Sequence, residues 1–576
     1  MKADPDSFDF VIVGAGAAGC VLANRLSEDP QNKVLLVEAG GSDANPVFRI
    51  PLLAGVAYWY GPSNWGYRTV PQAGLDGRQI KWPRGKVLGG SSTINGMMYM
   101  RGTAADYDRW AALGCHGWAY RDVLPYFRRG EDNPERAGDA FHGTGGPLRV
   151  VRARAENPLY ASFLAAATAE GHPRNDDFNG ERQEGLGPYD FNIRDGRRES
   201  SATAYLRPAL RRANLTVWTR TLALRVEIEA GRATGLVVVR DGAEQRVAAR
   251  REVILSGGAI NTPQLILLSG IGDPAELQAA GIAPKVDSPG VGRNLQDHLG
   301  VYLTYACKDP VTLYALFRPD RAALALARAA LFGTGPAAAV PLEVGGFLKT
   351  RTGIAEPDIH ITFVPGLNLE TTRSGQGRHG YLINFYQLRP ESRGQITLAS
   401  PDPRAAPLID PGYLTSDADR RCLRDGMHLA RRIGENPALS RHRAADLSPV
   451  SADFGSDAAI DAWIRQSSNT IFHPVGTARM GSDAGSVTDP ELRVRGVAGL
   501  RIADASVMPL LVGGNTSAPC MMIAEKAADM ILGRPPLGGE AGCRGPGAAL
   551  IRPLRRWRSA LPTCLTRASG GRFACA

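Results

Sequence analysis

The chain has 576 residues, 44% hydrophobic and 22% charged, the balance of a globular protein with a sizeable core, which excludes a wholly disordered or fibrous chain. Its net charge of +10 does not argue for nucleic acid: 59 of the 67 basic residues are Arg spread along the chain, and the stretch after Arg534 carries seven Arg against one acid. Eight cysteines without a CxxC pair exclude a disulfide scaffold and a structural zinc site.

In chain order, MKADPDSFDFVIVGAG places acidic residues early and then a short apolar run, so a strand rather than a secretory signal is expected, in a cytoplasmic setting. FDFVIVGAGAAGCVLANRLSEDPQNKVLLVEAGG reads as strand, glycine turn, helix and strand. Gly14, Gly16 and Gly19 have GxGxxG spacing, and Glu38 ends the second strand. Gly14 permits the turn, Gly16 lets the backbone approach a pyrophosphate, and Gly19 lets the helix pack on the sheet. Ala17 and Ala18 open the helix whose N-terminus faces the phosphates, and Glu38 can accept from a ribose. The motif predicts a dinucleotide but leaves FAD and NAD open.

Residues 83–102, PRGKVLGGSSTINGMMYMRG, can set bare backbone N–H groups and hydroxyls against a planar ring or a phosphate; composition alone favours an ordinary glycine-rich loop. Residues 313–340 are apolar and then rich in Gly and Pro. No uncharged run there is long enough for a membrane span, which leaves a lid over the substrate or a plain surface helix and loop. Residues 357–366 and 381–414 alternate apolar positions between turn signals, as antiparallel strands do, and predict a sheet that closes a pocket. None of the nine histidines has metal-ligand spacing to another, so no metal is expected. The segment from 535 to 576 has no period and reads as a disordered basic tail.

Several of these stretches resemble the glucose–methanol–choline (GMC) oxidoreductases. GKVLGGSSTINGMMYMRG is similar to that family's first signature and GGAINTPQLILLSGIG (257–272) to its second. NWGYRTVPQ, PGVGRNLQDH, FHPVGTARMG and GLRIADASVMP fall where the family has counterparts. The resemblance spans about residues 8–534. It implies an α/β fold: a doubly wound, Rossmann-like FAD-binding domain (1–150, 200–305 and 470–534) and a substrate domain on an antiparallel sheet with helices (151–199 and 306–469). It implies FAD, lined by Val87, Ser91, Asn95, Gly96, Met97 and Met98, with the backbone of Val226 at the adenine. Asp504 and Ala505 would then reach the pyrophosphate and ribityl region, and Thr516 the ring edge. Some relatives link FAD covalently through a histidine at the position of Ile94, so non-covalent FAD is expected here.

In the resembling family the HPVGT histidine faces the flavin, opposite a His or Asn from a later segment. Here these are His473 and Asn515: a base for the hydroxyl proton and an anchor for the oxygen. His298, in NLQDH, is expected to hold a turn near the cofactor, and the other seven histidines to be structural. The implied activity is FAD-dependent oxidation of a primary alcohol, with a quinone or oxygen as electron acceptor and peripheral contact with the inner membrane left open. Choline is the alternative substrate, with Glu343 as the carboxylate of a cation cage. Fatty-acid photodecarboxylation is disfavoured, because no cysteine lies between Cys307 and Cys422. A basic binding protein acting through the tail is the reading from another class.

Overall fold

The computed structural model describes residues 7–59, 61–367, 377–448 and 456–538. Most of the expected basic tail, from 539 onward, lies outside the described residues.

The first sheet has seven strands. Its order is Leu215–Trp218, Val34–Val37, Ser7–Val13, Ala243–Leu255, Arg232–Arg240 and Leu222–Glu229, with Leu500–Ile502 also paired to Ala243–Leu255. The strands around Ser7–Val13 are parallel, and Val11, Ile12 and Val34 to Leu36 are fully buried. Continuous apolar runs of this kind belong to strands covered on both faces. The other half is an antiparallel meander whose turns follow directly from sequence. Ala230–Gly231 and Asp241–Gly242 are two-residue loops with φ of 47°, 75°, 51° and 83°, the left-handed pair that a tight hairpin requires. The sheet is therefore Rossmann-like on one side only: these short loops leave no room for the crossover helix that parallel strands need. Helices Ala17–Leu26 and Ser517–Ile531 share the core beside this sheet. Arg25 of the first helix pairs with Glu525 of the last at 2.9 Å, joining chain segments 500 residues apart.

The second sheet is antiparallel, in the order Val344–Leu348, Ile359–Val364, Gly380–Gln387, Leu299–Cys307 and Arg443–Asp446. A short strand, Asn469–Thr470, also pairs with Leu299–Cys307. On one face, Ile359, Ile361, Ile383 and Phe385 pack with Leu423, Met427, Ala430 and Ile433 of helix Asp417–Glu435. The alternate residues, His360, Thr362, Val364, Leu382, Asn384 and Tyr386, point into a cavity. Period-two side-chain alternation thus separates a core face from a pocket face on the same strands. Residues 313–340 form a short 3-10 turn at Leu313–Phe317 and a helix at Pro319–Phe332. No helix among the described residues is long and apolar enough to cross a membrane.

Candidate active site

A cavity of about 650 Å³ runs between the two sheets. At one end lies the glycine turn. Gly14 has φ +97°, and a Cβ there would meet the Ser256 carbonyl oxygen at 2.5 Å, so this position admits only glycine. A Cβ on Gly90 would stand 2.7 Å from the Gly16 Cα, so the two glycine-rich loops touch backbone to backbone. Glu38 is buried, and its two carboxylate oxygens accept from the Ala15 and Gly40 N–H groups at 2.8 and 2.7 Å. Burial pushes this carboxyl up to about 7 in spite of those donors. Asp504 is also buried; its carboxylate accepts from Gly258 N–H and the Thr262 hydroxyl at 2.8 and 2.6 Å, and from Ser506. Both acids therefore brace the loops that line this end.

Of the residues singled out in the sequence, Gly14, Gly16, Ala17, Ala18, Glu38, Ser91, Asn95, Gly96, Met97, Met98, Asp504, Ala505 and Thr516 line this cavity. Three do not. Gly19 supports the turn from behind, where a Cβ would collide with the Gly14 carbonyl at 1.8 Å. Val87 is fully buried, packed with Phe48, Ala57 and Ile94. Val226 is fully buried within the first sheet, and its N–H is taken by the Ser269 hydroxyl at 2.8 Å; Leu222 and Ala223 of the same strand line the wall instead.

At the other end His473 and Asn515 come together, 3.1 Å apart between Nε2 and Nδ2. They belong to loops 42 residues apart, and strand pairing sets the first of them. Leu299 pairs with Thr470, and Ile471 N–H donates to the His298 carbonyl at 2.9 Å, which lays residues 471–473 alongside His298. The Asp297 carboxylate then accepts from His473 N–H at 2.7 Å and from the Tyr413 and Thr470 hydroxyls at 2.5 Å each. Burial raises this acid to about 6 despite the three donors. Asp106 fixes the second loop by accepting from Gly513 N–H at 2.9 Å.

The imidazoles fix one another's protons. His298 Nε2 lies 2.9 Å from the Leu388 carbonyl, which can only accept, so this nitrogen carries the proton. His298 Nδ1 is then the acceptor for His473 Nδ1–H, at 2.9 Å. That leaves His473 Nε2 unprotonated, with its lone pair accepting from Asn515 Nδ2 at 3.1 Å. Burial pushes His298 down to about 4, and burial together with the neighbouring His298 and Arg84 holds His473 well below the ordinary histidine value. Both rings are neutral at pH 7.

Sequence reasoning did not place four neighbours here. Arg84 lines the cavity and donates to the Phe472 carbonyl at 2.7 Å. His360 bonds Tyr189 at 2.7 Å and also Tyr386, whose ring lies 6.1 Å from that of His473. Asp297 holds the His473 backbone. The alternation in DIHITFV and the Asp-His pair in NLQDH carried the signal for His360 and Asp297. Arg84 and Tyr386 lie in the stretches 83–102 and 381–414, but nothing within those stretches set them apart from their neighbours. Glu343 is not among the lining residues; its half-buried carboxylate takes the Ala155 and Arg154 N–H groups instead. Among the described residues no cluster of His, Cys, Asp and Glu could hold a metal.

Two family models match the chain, the N-terminal GMC oxidoreductase domain over residues 8–300 and the C-terminal one over 390–524. The chain is a GMC oxidoreductase. Human mitochondrial choline dehydrogenase is 43% identical over 92% of this chain and 91% of its own length. The oxygen-dependent choline dehydrogenase of Photobacterium profundum is 42% identical over 92% and 94%. Among solved structures, pyridoxine 4-oxidase from Mesorbium loti superposes with a TM-score of 0.83 at 34% identity, over 90% of this chain and 98% of that one. A formate oxidase does so with 0.86 at 29% identity, over 92% and 99%.

GMC oxidoreductases bind FAD, and this cavity fits one. The bare glycine turns with Ser91 offer donors for a pyrophosphate, Glu38 would take the ribose, and Gly96 to Met98 with Thr516 line the same cavity as His473. The Asn515 Oδ1 atom is buried without a partner among the described residues, which suits a polar group of a bound molecule.

Proposed function

We propose that the protein oxidises a neutral primary alcohol to the aldehyde, with His473 as the base and Asn515 as the oxygen anchor. The observation that carries this is the unprotonated Nε2 of His473, held in the cavity beside an amide donor. In this reading, residues 1–150, 200–305 and 470–534 hold the cofactor, and 151–199 with 306–469 hold the substrate.

The substrate hydroxyl replaces the direct Asn515–His473 hydrogen bond, donating to His473 Nε2 and accepting from Asn515 Nδ2. His473 takes the hydroxyl proton as the C–H bond breaks, and its Nδ1–H to His298 keeps the ring oriented while it becomes charged. Asn515 stabilises the oxygen as negative charge grows on it. When bound, the flavin supplies the acceptor for the hydride of the carbinol carbon. Oxygen or a quinone then takes the electrons from the cofactor. Tyr386, Leu342, Val364 and Leu382 exclude water around the reacting carbon. Ile94, apolar and 2% exposed, offers no nucleophile to the cofactor, which supports non-covalent FAD.

The lack of a substrate-side acid among the described lining residues favours a neutral alcohol. Among the described residues, the two carboxylates that line the cavity, Glu38 and Asp504, both sit at its glycine-turn end. One observation favours choline as a second reading: Tyr58, Tyr302, Tyr386 and Phe472 surround the same space, and aromatic faces bind quaternary ammonium. The two readings separate in an anaerobic titration of the purified flavoprotein. Bleaching of the flavin by a medium-chain or benzylic primary alcohol, with choline inert, supports the neutral substrate. Bleaching by choline alone replaces it with the second reading, and a flavin that stays oxidised with all three removes both.

A further inference from the structure

The four most exposed large apolar side chains among the described residues lie in one short segment: Phe332 (73%), Leu331 (72%), Leu324 (63%) and Phe317 (53%). They belong to helix Pro319–Phe332 and the turn before it. This helix is built the wrong way round for a surface helix. The residues it buries fully are alanines, Ala325 and Ala329, packed with Ala337, Ile50 and Leu52, with Leu326 half-buried beside them. Its outward face carries Leu324, Ala327 and Leu331, at i, i+3 and i+7. A surface helix ordinarily turns its larger apolar residues inward and charges outward. Here the side chains that would gain most from burial are in water, and a contiguous apolar patch of this kind marks an interaction surface.

The charges choose the occupant. Arg318, Arg321 and Arg328 flank the patch, and Asp320 is the only acid between residues 313 and 340. Asp320 already pairs with Arg318, and no ion pair reaches Arg321 or Arg328 among the described residues. A second copy of the chain docked face to face would set these arginines against themselves, because a two-fold interface places each patch on its own image. An anionic lipid surface meets both halves of the pattern. Leucine and phenylalanine enter the acyl boundary, and arginines meet the phosphates. The helix is also firmly seated for such a role: Arg197 Nη2 donates to the Ala330 carbonyl at 2.9 Å, and Gly333 caps the helix in the left-handed region.

We propose that helix Pro319–Phe332, with Phe317, docks the protein peripherally onto an anionic membrane surface. The test is co-sedimentation of the purified, FAD-loaded protein with vesicles of phosphatidylcholine alone and of phosphatidylcholine with phosphatidylglycerol. Leu324→Asp/Leu331→Asp and Arg321→Glu/Arg328→Glu variants run in parallel. The residues changed lie on the surface, so flavin content and turnover with a soluble dye acceptor stay at the wild-type level in both. Binding to the anionic vesicles that falls at least about tenfold in each variant, and that salt weakens, is the expected result. Equal binding to neutral vesicles, binding that either variant leaves unchanged, or no binding to any vesicle overturns the proposal. So does a wild-type dimer that the leucine variant turns into a monomer.

Discussion

His298 Nδ1 and His473 Nδ1 stand 2.9 Å apart, with the far nitrogen of His298 held on the Leu388 carbonyl at 2.9 Å. This chain of two bonds sets which nitrogen of His473 is bare. Replacing His298 by Ala removes the acceptor and lets the His473 ring turn or change tautomer. The expected effect is bound FAD at the wild-type level and flavin reduction slowed by about ten- to a hundredfold, with a changed pH profile. Stopped-flow reduction under anaerobic conditions, measured from pH 5 to 9, reads both. A profile identical in shape and rate to the wild type would leave His298 a mere core residue.

His473→Ala takes away the proton acceptor itself. FAD stays bound, because the cavity end with Gly14, Gly16 and Glu38 is untouched. Flavin reduction by alcohol falls at least about a hundredfold, the usual worth of a placed base. Asn515→Ala leaves the base and removes the donor to the developing oxyanion, so it lowers the limiting rate more than it raises KM. Near-wild-type reduction in the first variant would remove His473 from the chemistry.

The sequence made some of this arrangement legible and hid the rest for definite reasons. The strand–turn–helix beginning at Ser7 was readable because glycine spacing and apolar runs are local. The pocket sheet was readable from alternation around His360 and Tyr386, although not which face of it carries the chemistry. The meeting of His298 with His473 was not, because it depends on pairing between strands about 170 residues apart. The same holds for Asp106, which acts on a loop 407 residues later. For Val226 the strand was readable, but its place along the strand was not: Leu222 and Ala223 line the cavity, and a register shift separates Ala223 from Arg225.

Asp106 ties two loops of the site together. It is buried, accepts from Gly513 N–H and from Thr103 N–H at 2.9 and 2.8 Å, and pairs with Arg389 at 3.0 Å. Burial would raise this carboxyl, yet Arg389, the backbone donors and Arg109 hold it below the usual range. Arg389 directly follows Leu388, so the one acid braces both the His298 acceptor and the loop that carries Asn515. Asp106→Ala leaves the Gly513 and Thr103 N–H groups without their acceptor and Arg389 with Glu356 as its remaining carboxylate, and costs about 3 kcal/mol of stability. Urea unfolding of the FAD-loaded protein measures this, and a loss below about 0.5 kcal/mol would mean that water replaces the carboxylate freely.

His142 gives a pH dependence of known sign. It is 3% exposed, and its Nδ1 and Nε2 lie 3.0 and 3.1 Å from the carboxylates of Glu131 and Asp177. Arg101, itself fully buried, shares Glu131. Burial pushes the imidazole down, but the two carboxylates outweigh it and raise it to about 9. A group whose folded value is raised binds its proton more tightly in the native state. Its stabilisation is therefore complete below the unfolded value near 6.5 and is lost as the pH climbs through about 9. The contribution is on the order of 2 kcal/mol at neutral pH after allowance for solvent screening. His142→Gln keeps a donor to one carboxylate and cannot charge. The difference in melting temperature between wild type and this variant is thus expected to be largest near pH 6 and to narrow steadily toward pH 10. A difference that stays constant across that range would show that His142 is neutral in the folded protein, with Arg101 alone compensating Glu131.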